Sequence, residues 1–270
     1  MRLMRALEGR IAIITGAGRG IGREHALLFA AEGAQVVVND LGGAVAGGDD
    51  DPAPADQVVA EIQAAGGQAV ANHDDVSTWE GGKRLIDSAI AAFGDLHVLV
   101  NNAGTLRDRM LVNMTEDEWD SVINVHLKGH FVPTHYAVAY WRARAKGGDV
   151  RASVINTSST SGLLGNPGQT NYGTAKSGIA TFTVIAAQEV ARYGVRVNAI
   201  VPAARTRMTE GTPGLSDIVK APMNESQFDI WDPANVAPLA AYLATEGCPA
   251  TGLVLYIQGG TIRRFQNWTM

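Results

Sequence analysis

Residues 11–30 read IAIITGAGRGIGREHALLFA: an apolar run, a glycine-rich turn and a helical stretch in immediate succession. No other segment restricts the fold as tightly. A short, wholly apolar strand is buried on both faces, which calls for a parallel sheet with helices on either side. Gly16, Gly20 and Gly22 allow a tight turn and let the backbone approach a pyrophosphate closely. The helix beyond offers its first N–H groups and the positive end of its dipole to the same anion. The general pattern G-x-G-x-x-G is not met, because Ile21 stands at its last position counted from Gly16; the glycines follow T-G-x-x-x-G-x-G instead. Their place between the first strand and the first helix is what makes them specific.

The alternation continues along the chain. Apolar, β-branched runs at 10–15, 34–39, 68–72, 96–100, 152–157, 195–201 and 252–257 predict strands. Amphipathic stretches near 21–32, 55–65, 78–93, 116–146, 171–192 and 233–246 predict helices between them. The expected fold is α/β: a doubly wound Rossmann fold with a mainly parallel seven-stranded sheet and helices on both faces. No linker or internal repeat divides residues 1–270, so one domain is expected. Segments 41–55 and 203–232 lack periodicity and follow strand C-termini, where open α/β sheets grip ligands; 203–232 is read as a substrate loop.

Composition sets the outer limits. At 270 residues with 46% hydrophobic, the chain can bury a core without staples. A net charge of −5 argues against nucleic acid as the main partner. The one cysteine, Cys248, fits a reducing compartment. The opening MRLMRALEGR has no apolar signal core, and no apolar run reaches the roughly 18 residues a membrane helix needs. A cytoplasmic protein that does not act on membranes is expected.

Asp40 ends the second strand, twenty residues beyond Gly20. A carboxylate there accepts both hydroxyls of an adenosine ribose and repels a 2′-phosphate, favouring NAD over NADP. Arg19 is the opposing signal, since a guanidinium could pair with that phosphate. Asp75 and Val76, after the third strand, either contact adenine or cap the strand. In NNAG, Asn102 can pin neighbouring loops, and Ala103 and Gly104 let a cofactor come close.

After the fifth strand comes TSSTSGLLGNPGQTNYGTAKSG, in which Tyr172 and Lys176 stand at i and i+4 and share a helical face. A phenol with a pKa near 10 is a poor base at neutral pH; a nearby ammonium favours the phenolate. A serine hydroxyl from the preceding loop could hold a substrate oxygen while the tyrosine exchanges its proton. No zinc-ligand spacing and no G-x-S-x-G turn is present, so neither zinc chemistry nor hydrolysis has support.

The set TGAGRGIG, NNAG, the serine loop and YGTAK resembles the short-chain dehydrogenase/reductase family over essentially the whole chain. The resemblance implies NAD(P)-dependent interconversion of an alcohol and a ketone, and a homotetramer. Carried over by motif, Tyr172 is the acid/base, Lys176 lowers its pKa and binds the nicotinamide ribose, and Ser159 orients the substrate oxygen. Ser158 and Ser161 then take structural roles. Pro202 and Thr206 fall beside the nicotinamide, with Pro202-Ala203 where the family commonly has Pro-Gly, and Thr206-Arg207-Met208 matching its T-x-M. VVVNDLGG, NNAGTLRDRM, VHLKGHF, GNPGQTNYGTAK and RTRMTE are similar to the (3R)-hydroxyacyl-CoA dehydrogenase part of peroxisomal multifunctional enzymes. That likeness implies NAD and a 3-hydroxyacyl thioester. A small cyclic, terpenoid or steroid alcohol is the alternative substrate, and a non-catalytic dinucleotide sensor the alternative of another class.

One departure stands out. The family places Asn before the Leu of INVHLKG, where it holds a relay water; here that position is His126, and Asn124 comes two residues early. His126 is therefore expected to take the asparagine's place in the catalytic set, and Asn124 is expected not to be catalytic. His25, His73, His97 and His135 read as satisfied or solvated, and Arg107 and Arg109 either meet an anionic substrate or form surface ion pairs.

Overall fold

The computed structural model describes residues 5–42, 53–206, 209, 219–222, 224 and 226–266. Its centre is one eight-stranded sheet. The strands are β1 (Ile11–Thr15), β2 (Gln35–Asn39), β3 (Gln68–Asn72), β4 (Val98–Asn101), β5 (Ala152–Thr157), β6 (Val195–Pro202), β7 (Val254–Gln258) and β8 (Thr261–Phe265). Their order is β3-β2-β1-β4-β5-β6-β7-β8. The first seven are parallel and the last is antiparallel to β7. Seven strands were expected and an eighth is found. In TIRRF the two apolar residues, Ile262 and Phe265, are three apart and so fall on opposite faces, and Thr261–Arg264 are exposed at the sheet edge, so no apolar face shows in the periodicity.

Alternation along each strand feeds two separate cores. On β1, Ala12 and Ile14 point to one face and Ile11 and Ile13 to the other, and all four are buried. Helices α1 (Gly20–Ala31), α2 (Ala53–Ala64) and α8 (Ala237–Ala244) cover the first face through residues such as Phe29, Val58 and Leu239. Helices α3 (Trp79–Phe93), α5 (Gly129–Arg144) and α7 (Thr170–Val190) cover the second through Leu85, Trp141 and Val190. Below the sheet, at the strand starts, buried Arg10 donates to the carbonyls of Arg151 at 2.6 Å and His97 at 3.4 Å. His97 accepts from the Ile11 N–H at 3.0 Å, so the beginnings of β1, β4 and β5 are laced together.

The single helix expected over 116–146 is three pieces. Helix α4 (Glu116–Ile123) opens with a capping box made by Thr115 and Glu118. A π-helical turn follows at Asn124–Lys128, and then α5, which contains Pro133. A further short helix, α6 (Thr160–Leu164), falls in the serine loop. Much of the 41–55 segment, part of 203–232, and Arg207 and Met208 lie outside the described residues. Among the described residues no helix is long and apolar enough to cross a membrane.

Candidate active site

The strand order reverses between β1 and β4, which opens a crevice at their C-terminal ends. The glycine turn leaves β1 there and NNAG leaves β4. Asn102 fastens the two: its Nδ2 donates to the carbonyls of Thr15 (3.0 Å) and Gly16 (3.1 Å). In return, Thr15 Oγ1 accepts from the N–H groups of Asn102 and Ala103.

The glycines divide their work. A methyl on Gly22 would stand 2.1 Å from the Gly16 carbonyl oxygen, and one on Gly16 would stand 2.7 Å from Ala103 Cα. These two permit close packing of the turn. Among the described residues, Gly20, at φ +54°, has only Thr206 near its open side, at 3.7 Å, and it lines the crevice. Helix α1 starts with no side-chain cap and no acidic residue in its first turn, leaving its N-terminus suited to an anion. Asp40 Oδ2 accepts from the Gly18 N–H at 2.8 Å and Oδ1 from the Gly42 N–H at 2.9 Å.

At the other end, Ser159 caps α6 and accepts from the Ser161 N–H at 3.2 Å. Its side chain is close enough to the Tyr172 phenol to bear on that group's pKa. Lys176 is buried on the same face of α7, with Nζ 5.5 Å from the Tyr172 ring centroid, and donates to the Thr157 carbonyl at 2.6 Å. Ser158 Oγ donates to the Lys176 carbonyl at 2.7 Å, a structural bond. Burial pushes the Tyr172 phenol up to about 12; the nearby Ser159 side chain acts downward and the Asp108 charge upward. Burial also brings the Lys176 ammonium down to about 7. Burial is the largest of these influences on the phenol, and the expected lowering by Lys176 does not figure among them.

The π turn settles where the two polar residues of INVHLKG go. Asn124 is exposed, whereas His126 is buried with its ring edge-on to Tyr172, centroids 5.0 Å apart. His126 Nε2 lies 2.7 Å from the Thr105 carbonyl and 3.1 Å from the Thr105 N–H. Burial first, then the nearby Lys176 charge, holds this imidazole neutral, well below the usual histidine range. Only a glycine at 104 admits the ring: a methyl there would stand 2.3 Å from His126 Cε1.

Every candidate residue lines one cleft of about 780 Å³: Gly16, Arg19, Gly20, Ile21, Gly22, Asp40, Asp75, Val76, Asn102, Ala103, Gly104, His126, Ser159, Tyr172, Lys176, Pro202 and Thr206. Arg107 also lines it, while Arg109 is outside, paired with Glu118 at 2.7 Å. Sequence reasoning missed Gln169, Val219, Trp231 and Tyr256, which complete the wall. For Gln169 the available signal was its position three residues ahead of Tyr172. Tyr256 lies on the expected strand 252–257, whose pattern does not say that its end reaches the cleft, and Val219 and Trp231 come from the 203–232 segment, which has no readable pattern.

A crevice at the strand reversal, a glycine turn open to an anion and a serine–tyrosine–lysine group facing it define a dinucleotide-dependent dehydrogenase. The chain belongs to the short-chain dehydrogenase family, whose model matches residues 10–213. It is 44% identical over 257 residues to hydroxyacyl-CoA dehydrogenase ChsB1 of Mycobacterium tuberculosis, covering 94% of this chain and 78% of that one. It is 47% identical over 245 residues to peroxisomal multifunctional enzyme type 2 of Drosophila melanogaster, covering 91% of this chain but 38% of that longer protein. A crystal structure of a short-chain dehydrogenase from Mycobacterium avium superposes with a TM-score of 0.86 at 48% identity, covering 98% of this chain and 88% of that one.

Proposed function

We propose that this enzyme is an NAD-dependent oxidoreductase interconverting a secondary alcohol and a ketone, with a 3-hydroxyacyl thioester as the preferred substrate class. The observation that carries the reading is the meeting of Ser159, Tyr172 and Lys176 in one cleft with the glycine turn. A bound nicotinamide supplies or accepts the hydride. Gly20 and the α1 N-terminus receive the diphosphate, Asp40 the adenosine ribose, and Lys176 the nicotinamide ribose. Ser159 donates to the substrate oxygen. Tyr172 takes the alcohol's proton in oxidation and returns it in reduction, so the carbonyl forms or is consumed without free oxyanion. His126 stands where a water-holding asparagine would stand and is proposed to order this side of the cleft. The acyl thioester follows from the names of the relatives, two of which are a hydroxyacyl-CoA dehydrogenase and a multifunctional enzyme. The chain is further proposed to act as a homo-oligomer in the cytoplasm.

The test is absorbance at the reduced-nicotinamide band with NAD or NADP over 3-hydroxyacyl-CoA, cyclic, terpenoid and steroid alcohols. Turnover of the acyl-CoA substrates with NAD is expected, with Tyr172→Phe losing about 10²–10⁴-fold in kcat while dinucleotide still binds. Bound dinucleotide with no turnover of any alcohol or ketone would favour a sensor instead. Turnover of only the cyclic alcohols would move the substrate class.

A further inference from the structure

The residues just ahead of Tyr172 make contacts that proton transfer itself does not call for. Asn171 is fully buried. Its Nδ2 donates to the Arg107 carbonyl at 2.9 Å and to the Glu118 carbonyl at 2.8 Å, and its Oδ1 accepts from the Tyr172 N–H at 2.7 Å. Two residues earlier, Gln169 Nε2 donates to Asp108 Oδ2 at 2.8 Å, and the Arg109 N–H donates to the Gly168 carbonyl at 2.8 Å. Three consecutive residues of the loop after β4, 107 to 109, are therefore bonded to the turn that enters α7. The same loop is gripped at Thr105 by His126. Helix α4 joins through Glu118, whose carboxylate takes Arg109 while its carbonyl takes Asn171.

Helix α7 needs this hold. Its N-cap, Gln169, makes no side-chain capping bond to the helix, so the first turn, which carries Tyr172, is not fixed by its own sequence. We propose that Asn171 is a positioning residue for Tyr172: through its carboxamide, the 105–109 loop and α4 set where the phenol stands against Ser159 and His126. The inference rests on the acid/base reading of Tyr172. An asparagine kept only to satisfy buried carbonyls would stabilise the fold and leave the phenol where it is.

The test compares Asn171→Ser and Asn171→Ala with Thr183→Val, all in the full-length chain. Thr183 is equally buried on the same helix and hydrogen-bonded to Ile179 and Asn156, away from the cleft. Two readouts are taken: the NMR cross-relaxation between the Tyr172 and His126 rings, assigned with Tyr172→Phe, and the kcat and KM for the best substrate of the alcohol panel. In Asn171→Ser the ring cross-peak weakens and kcat falls about 10²-fold, the size of effect a misplacement near 1 Å produces, with dinucleotide affinity unchanged. Thr183→Val lowers the melting temperature and moves neither readout. An unaltered ring contact and kcat in Asn171→Ser, at a melting temperature matching Thr183→Val, would overturn the proposal. If Asn171→Ala does not fold, the serine variant and Gln169→Ala decide it on the same readouts. The ring contact needs no substrate, so a panel with no turnover counts against the acid/base reading and leaves the positioning result to the NMR arm.

Discussion

His25 is the residue whose surroundings depart furthest from its chemistry. It lies wholly buried in α1 beside Phe29, and neither ring nitrogen has a hydrogen-bond partner. Burial alone pushes its pKa down to about 3. The unfolded chain binds a proton at this histidine below about 6.5 and the folded chain does not until about 3. Its contribution is therefore present above pH 6.5 and is lost as pH falls from there toward 3. His126 and His130 are held neutral in the same direction and add to the acid sensitivity. Replacing His25 with Leu removes two unsatisfied polar atoms and should raise stability by about 1–3 kcal/mol. It should also flatten the stability curve between pH 6.5 and 5, as read from urea midpoints at several pH values. The sequence alone does not reveal this residue: a histidine in an apolar helix stretch reads as satisfied or solvated, as His97 and His73 are. What surrounds an imaginary partner atom is decided by packing between elements, not by neighbours along the chain.

The elements were legible where periodicity reports burial and illegible where it does not. The seven apolar strands and the glycine turn follow from alternation and turn chemistry, because both faces of the sheet are covered. The polar edge strand β8 gave no such signal. Nor did the π turn at 124–128, whose extra residue per turn changes which side chains look inward. Periodicity over INVHLKG does not choose between Asn124 and His126; the family pattern points to 126, and the π turn is where the structure buries it. That choice makes a further prediction. Gly104→Ala drives a methyl into the imidazole and should abolish ordered packing of the NNAG loop, seen as lost dinucleotide binding. In a His126→Ala background the three nearest obstacles, all atoms of the imidazole, are gone, so binding should return in the double variant. Equal losses with and without His126, measured by dinucleotide titration, would mean the ring is not the obstacle.

At the scale of the molecule, one surface is conspicuously apolar. Trp79 on α3, Phe131 on α5 and Ile185 on α7 are 42%, 42% and 51% exposed. Trp79 stacks at a tilt on Phe131 and His135, and Phe131 meets Phe182 edge-on. Exposed apolar patches on proteins often serve association. If a second copy covers it, Phe131→Glu should lower the molar mass measured by light scattering while the circular dichroism spectrum stays the same; an unchanged mass places the contact elsewhere. One of the helices that build this face, α7, also carries Tyr172, so the apolar face and the site share an element. The opposite rim of the sheet behaves differently. There Arg10, just ahead of β1, binds the starts of β4 and β5 through two backbone carbonyls, which any side chain at those positions would supply. The C-terminal rim holds the loops that line the cleft, and the strand-start rim holds bonds that tie neighbouring strands together. Insertions, deletions and substitutions in the loops at the first rim can therefore change what the enzyme accepts without disturbing the lacing at the second. A lineage can revise its chemistry there and inherit its architecture unchanged.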